Sequence, residues 1–201
     1  IYAAVRAFTQ PGDGVLVQPP VYTPFFDAIS RNGRRVVLNP LRHQNGEYTM
    51  DFDDLREKAK EAKMLILCSP HNPVGRVWLA QELEELAAIC RETGLLVFAD
   101  EIHCDIVFAP HKHIAWATLQ NADMQNSIIG TAASKTFSLA GLGTSSIFIP
   151  NEELRAGFSA QQDKDGAHFN SSFGVAATNA AYTKGEAWME EMIAYVGENY
   201  K

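Results

Sequence analysis

Three observations in the sequence predict one three-layer α/β domain on a mostly parallel central sheet. Strand-length apolar runs alternate with helical patterns along all 201 residues. The runs are apolar at nearly every position, as strands covered on both faces are, rather than alternating like half-exposed ones. No Gly/Ser-rich linker and no internal repeat divides the chain.

Each element has its own signal. Residues 1–9 read as the end of a helix already under way. "GVLVQPP" (14–20) is a short apolar run stopped by prolines, and "RRVVLNPL" (34–41) is a second. "MDFDDLREKAKEAK" (50–63) carries acids early and lysines late, the order a helix dipole favours. "MLILCSP" (64–70) is the third strand. "AQELEELAAICRETG" (80–94) has apolar residues at three- and four-residue spacing, with Gly94 where a C-cap belongs. "LLVFADE" (95–101), "NSIIGTA" (126–132) and "TSSIFIP" (144–150) complete the strands, and helices are expected over 151–164 and 171–185.

Composition narrows the function classes. A hydrophobic share of 46% suffices for a core and argues against disorder. The formal net charge of -7, without a basic run, argues against a nucleic-acid partner. The longest apolar runs are strand-sized, so no membrane span is expected. No charged segment leads into an apolar one as in a signal peptide, and the chain starts at Ile1 rather than Met, so a piece of a longer protein is expected. Cys68, Cys90 and Cys104 are widely spaced, which fits a reducing cytoplasm and three small buried hydrophobes rather than a disulfide framework.

In parallel α/β sheets the chemistry gathers where loops leave the carboxyl ends of the strands. Those loops here read "PPVYTP", "SPHNPVGR", "ADEIHCD" and "TAASKT". Lys135 is either a solvated lysine at a helix start or an amine held at a strand end, partly desolvated and nucleophilic toward a carbonyl. Its neighbours Ala132, Ala133 and Ser134 leave room for a cofactor, and Thr131 and Ser134 have hydroxyls for a phosphate. Asp100 closes an apolar strand, where an acid is costly without a cation. A protonated ring nitrogen would serve it, and so would a helix N-cap or a salt bridge to Arg76. Asn72 is either turn chemistry or a donor to a ring hydroxyl. Tyr22 is either a core aromatic or a ring stacked on a flat cofactor. Taken together, these are the groups that pyridoxal phosphate requires. A rival cluster, His103, Cys104, Asp105, His111 and His113, lacks zinc-ligand spacing and reads as solvated loop residues, so no metal is expected.

"PGDGVLVQPPVYTPF", "SPHNPVGRVW", "ADEIHCDIVF" and "ASKTFSLAGL" occur in one order along the chain. With these motifs the sequence resembles the class I/II aminotransferase family of fold-type I pyridoxal-phosphate enzymes. It is most similar to the cystathionine β-lyase, or C–S lyase, branch of the MalY/PatB type. The resemblance implies that Lys135 captures the cofactor aldehyde and Asp100 pairs with the pyridine nitrogen. It implies that Asn72 and His103 face the ring hydroxyl, Tyr22 stacks on the ring, and Thr131 and Ser134 hold the phosphate. Where many relatives place a phosphate-binding serine and arginine, this chain has Ala132 and Gly143. The resemblance further implies that residues 1–201 are the cofactor-binding large domain, incomplete at its start and without the small domain. The expected protein is a cytoplasmic homodimer acting on an amino acid. Two fates are implied for the substrate: β-elimination to pyruvate, ammonia and a thiol, or transamination with a keto acid. A third reading is a large domain that folds without turning over.

Overall fold

The computed structural model describes residues 1–167 and 171–200. Along them run α1 (Tyr2–Phe8), β1 (Gly14–Val17), α2 (Pro24–Ser30), β2 (Arg35–Leu38), β3 (Arg42–Gln44), β4 (Glu47–Thr49), α3 (Phe52–Ala59) and β5 (Met64–Cys68). Then come α4 (Ala80–Thr93), β6 (Leu96–Asp100), β7 (Ser127–Thr131), α5 (Ala133–Thr136), β8 (Ser146–Phe148), α6 (Glu152–Lys164), α7 (Ser172–Lys184) and α8 (Glu186–Tyr200). The main sheet has the order β2-β1-β5-β6-β7-β8. All its pairings are parallel except β7 with β8.

Strand periodicity divides the core into two layers. Leu16, Leu65, Leu67, Val97 and Ala99 point to one face and pack with Trp78, Leu83, Leu86 and Trp116. Val15, Val17, Met64, Ile66 and Phe98 point to the other, against Val5 of α1, Phe25 and Ile29 of α2 and Phe158 of α6. The central strands are thus apolar throughout because both faces are covered. The edges differ: Arg35 and Leu38 of β2 and Ser146 and Phe148 of β8 are exposed. The expectation of double-sided burial is corrected there, because an edge strand has less of the helical layers over it.

Local signals set several boundaries. The Asp51 carboxylate accepts from the Asp54 N–H and starts α3, and Asn151 accepts from Glu153 and Leu154 N–H groups to start α6. Gly94 ends α4 at φ 70°, in the left-handed region. The glycine at 14 serves a different need. A Cβ there would lie 2.3 Å from the Glu61 carbonyl oxygen and 2.8 Å from Val37 Cγ2.

Because one of those neighbours is backbone, it cannot rotate aside. Gly14→Ala is expected to lower stability by about 1–3 kcal/mol, seen as a lower urea midpoint with an unchanged m-value. An unchanged midpoint would show that β1 and the α3–β5 turn separate freely.

Candidate active site

The strand order changes direction between β1 and β5, and crevices for ligands open at such switch points, at the carboxyl ends. Tyr22 lies just beyond β1, Asn72 just beyond β5, Asp100 ends β6, and Lys135 lies just beyond β7. These four strands are consecutive neighbours. Register fixes the centre: Asp100 is paired with Cys68 on one side and Gly130 on the other.

Tyr22, Asn72, Asp100, His103 and Lys135 line one recess of about 50 Å³, together with Cys68 and Ile102. A second recess of about 180 Å³ shares Asp100 and Ile102 and adds Thr131, Ala132 and Ser145. Five of the residues picked out in the sequence therefore meet in one place, and Thr131 stands in the adjoining space. Ser134 lines neither recess; it lies in the single turn of α5, one residue before Lys135. Ser145 carries no sequence signal of its own, because its place beside Thr131 depends on the antiparallel return of β8.

The loops are held by short-range bonds. Cys68 Sγ donates to the Pro70 carbonyl at 3.4 Å and accepts from the Asn72 N–H at 3.3 Å, so it braces the turn that presents Asn72. Burial pushes the Cys68 thiol up to about 12, which keeps it a neutral brace rather than a nucleophile. Buried His71 connects two loops: its Nε2 is 2.9 Å from the carbonyl oxygen of Pro20, two residues before Tyr22. Its ring meets Trp78 edge-on at 5.3 Å. Tyr22 is 41% exposed and touches Phe25 edge-on at 5.6 Å. It is a ring at the mouth of the site rather than a core aromatic.

Asp100 is the electrostatic centre. Burial pushes its carboxyl up to about 6. The Ile102 N–H, 3.2 Å away, and the charge of Lys135 pull it down, and Glu101 pushes it up. Arg76 does not serve it; that guanidinium pairs with Glu82 at 2.5 Å and lies over the Trp78 ring. His103 is held below the ordinary histidine range by burial and by the charge of Lys135, so it presents a neutral imidazole. Lys135 itself is exposed, which corrects the expectation of a partly desolvated amine. A one-turn helix at the rim has little around it to exclude water.

The histidine cluster resolves differently from the expectation of solvated loops. His111 is exposed, but His113 is half-buried with Nε2 3.3 Å from Glu101 Oε2. Glu101 in turn accepts from the Trp116 N–H at 2.6 Å. Among the described residues no group of three or more His, Cys, Asp or Glu gathers closely enough to hold a metal ion. Cys68 and Cys90 are buried as expected, and Cys104 is half-buried. No helix among the described residues is long and apolar enough to cross a membrane.

A doubly covered parallel sheet with an amine, a half-buried acid, an amide and an imidazole at adjacent strand ends defines a class of α/β protein. Its site suits a flat, protonatable ring that carries an aldehyde. The particular family comes from comparison: the chain belongs to the aminotransferase class I and II family, matched over residues 1–201. It is 45% identical over 198 residues to the cystathionine beta-lyase PatB of Bacillus subtilis, covering 98% of this chain and 51% of that protein. Among solved structures it is similar to cystalysin of Treponema denticola, which contains a pyridoxal 5'-phosphate cofactor. The TM-score is 0.94 at 37% identity, over 96% of this chain and 50% of that one. The PLP-bound C–S lyase of Staphylococcus hominis superimposes with a TM-score of 0.89 at 36% identity, over 99% and 50%. The chain thus spans about half the length of the relatives it matches, and its fold is that of the fold-type I enzymes.

The raised pKa of Asp100 carries a pH signature in ligand-free protein. Below about pH 4 the carboxyl is protonated folded or unfolded, and burial exacts no penalty. As pH rises toward about 6 the unfolded chain ionises first, and stability is lost. Asp100→Asn is therefore expected to exceed the parent at pH 7 by on the order of 2–3 kcal/mol and to match it at acid pH. Urea midpoints across that range check it, and a constant difference between the two proteins would refute it.

Proposed function

We propose that this chain is the cofactor-holding large domain of a pyridoxal-phosphate-dependent C–S β-lyase. Its substrate would be an amino acid with sulfur on Cβ, such as cystathionine, and its products pyruvate, ammonia and a thiol. The observation that carries the proposal is the meeting of Lys135, Asp100, Asn72, His103 and Tyr22 in one recess at neighbouring strand ends. The names of the relatives support the lyase over the aminotransferase, whose chemistry these residues would serve equally well.

The chain fits this cofactor on its own terms. The half-buried Asp100 carboxyl lacks a cationic side chain in direct contact and favours one strongly. Gly130 beside it keeps the floor low, since a Cβ there would come within 3.0 Å of the Phe98 ring. When bound, pyridoxal phosphate supplies an aldehyde for an amine and a ring that accepts electrons from Cα. Asp100 would hold the proton on the ring nitrogen. Asn72 and the neutral imidazole of His103 would meet the ring hydroxyl. Tyr22 would cover one face of the ring and shut out water. Thr131 and Ser134 would donate hydroxyls to the phosphate. Lys135 would bind the aldehyde and, once displaced by substrate, take the Cα proton as general base. The sulfur would leave Cβ with the bonding pair and take up a proton to become the thiol.

We further assign the protein to the cytoplasm as a homodimer. Three free cysteines and the absence of a disulfide among the described residues support a reducing compartment.

Cystathionine is expected to yield pyruvate with no keto acid present. Lys135→Ala should lower that rate by at least about 10²-fold. It should also remove the visible band that forms with pyridoxal phosphate and that borohydride traps. A strict need for a keto acid acceptor would replace the lyase by the aminotransferase. No trapped band at Lys135 would overturn the cofactor assignment itself.

A further inference from the structure

Asp105 does not line the recess, yet its carboxylate collects partners from three parts of the chain. Its Oδ2 accepts from Thr136 Oγ1 at 2.8 Å and from the Tyr182 hydroxyl at 3.1 Å. Cys104 Sγ lies 3.6 Å from Oδ1. Asp105 comes after Asp100 and His103 on the same loop, and Thr136 is the residue directly after Lys135. The Thr136–Asp105 bond therefore joins the acid side of the site to the amine side.

This joint matters because α5 is only four residues long. One turn fixes several dihedrals for very few hydrogen bonds and does not hold its own direction. Its N-cap, Ala132, offers no side-chain bond. Buried Ala132 and Ala133 hold the N-terminal side of Lys135 by packing alone, and the side-chain hydrogen bond next to it is on its C-terminal side, at Thr136. Thr136 is fully buried, so its hydroxyl depends on the carboxylate as acceptor. A hydrogen bond to a carboxylate is among the stronger ones. The Phe137 side chain adds only ring contacts, with Tyr182 at 5.4 Å and Trp188 at 6.1 Å.

We propose that Asp105 is a positioning residue that sets the Lys135 amine relative to Asp100, acting through the Thr136 hydroxyl. The proposal rests on the reading that Lys135 binds the cofactor aldehyde.

The test loads the cofactor-free protein with pyridoxal phosphate, tracks the visible band, traps with borohydride and maps the labelled lysine by peptide mass spectrometry. Asp105→Ala and Thr136→Val should load Lys135 about tenfold or more slowly, since small misplacements carry large rate costs. Asp105→Asn, which keeps an acceptor, and Thr136→Ser, which keeps the donor, should recover most of the rate. Tyr182→Phe, which removes only the α7 partner, should load within about twofold of the parent by the same reasoning. Loading at the parent rate by both Asp105→Ala and Thr136→Val would overturn the proposal. So would Thr136→Ser as slow as Thr136→Val, or Tyr182→Phe as slow as either. Should Asp105→Ala not fold, the near-isosteric Thr136 pair decides alone. A parent that labels nowhere, or labels other lysines, would sink the cofactor reading and this proposal with it; loading at Lys135 at the parent rate in every variant would sink only the proposal.

Discussion

Side-by-side parallel pairing of β1, β5, β6 and β7 is the constraint on which the site depends. Parallel neighbours release their loops at the same edge, and strands stand about 4.8 Å apart. Four consecutive strand ends therefore deliver four side chains within about 15 Å. Helices carry the chain back ahead of β5 and β6, a long loop without an α-helix does so between β6 and β7, and both faces of the central strands are buried. The same topology thus explains the apolar strands, the two core layers and the placing of Tyr22, Asn72, Asp100 and Lys135.

Asp100 shows what this placement costs. At the end of a buried strand its carboxyl gives up water and finds a backbone N–H but no direct cationic partner. In the proposed enzyme that deficit is what favours a protonated ring nitrogen, so instability in the empty site becomes affinity in the filled one. Structural residues keep the arrangement rigid. Cys68 braces the Asn72 turn, His71 links it to the loop of Tyr22, and Glu101 bonds the backbone at Trp116.

Much of this was legible in the sequence, because doubly buried strands write themselves as continuous apolar runs and leave polar motifs at their ends. The features that escaped did so for physical reasons. The hairpin β3–β4 is polar and exposed, so periodicity passes over it, although Asn45-Gly46, both at positive φ, is a hairpin signal. α2 spans only Pro24–Ser30, too short for a helical repeat to emerge. α8 comes after α7 with little but Gly185 between them, so no loop signal separates the two helices. Edge exposure of β2 and β8 depends on sheet order, which no local pattern encodes. The exposure of Lys135 and the reach of Asp105 to Thr136 likewise come from tertiary placement, since residues distant in the chain set both.

The parallel sheet also orders events in time. Tyr22 and Lys135 sit near opposite ends of the segment that makes the sheet, and each neighbouring pair of strands closes a long loop. Such pairings are slow, because loop entropy is lost before contacts repay it. As the chain leaves the ribosome, the recess has no amine until β7 has docked beside β6. A half-made chain can bury hydrophobic surface but has no Lys135 with which to seize a free aldehyde at this site. In the proposed enzyme the amine thus joins the recess only after the strands that carry the acid, the amide and the aromatic ring.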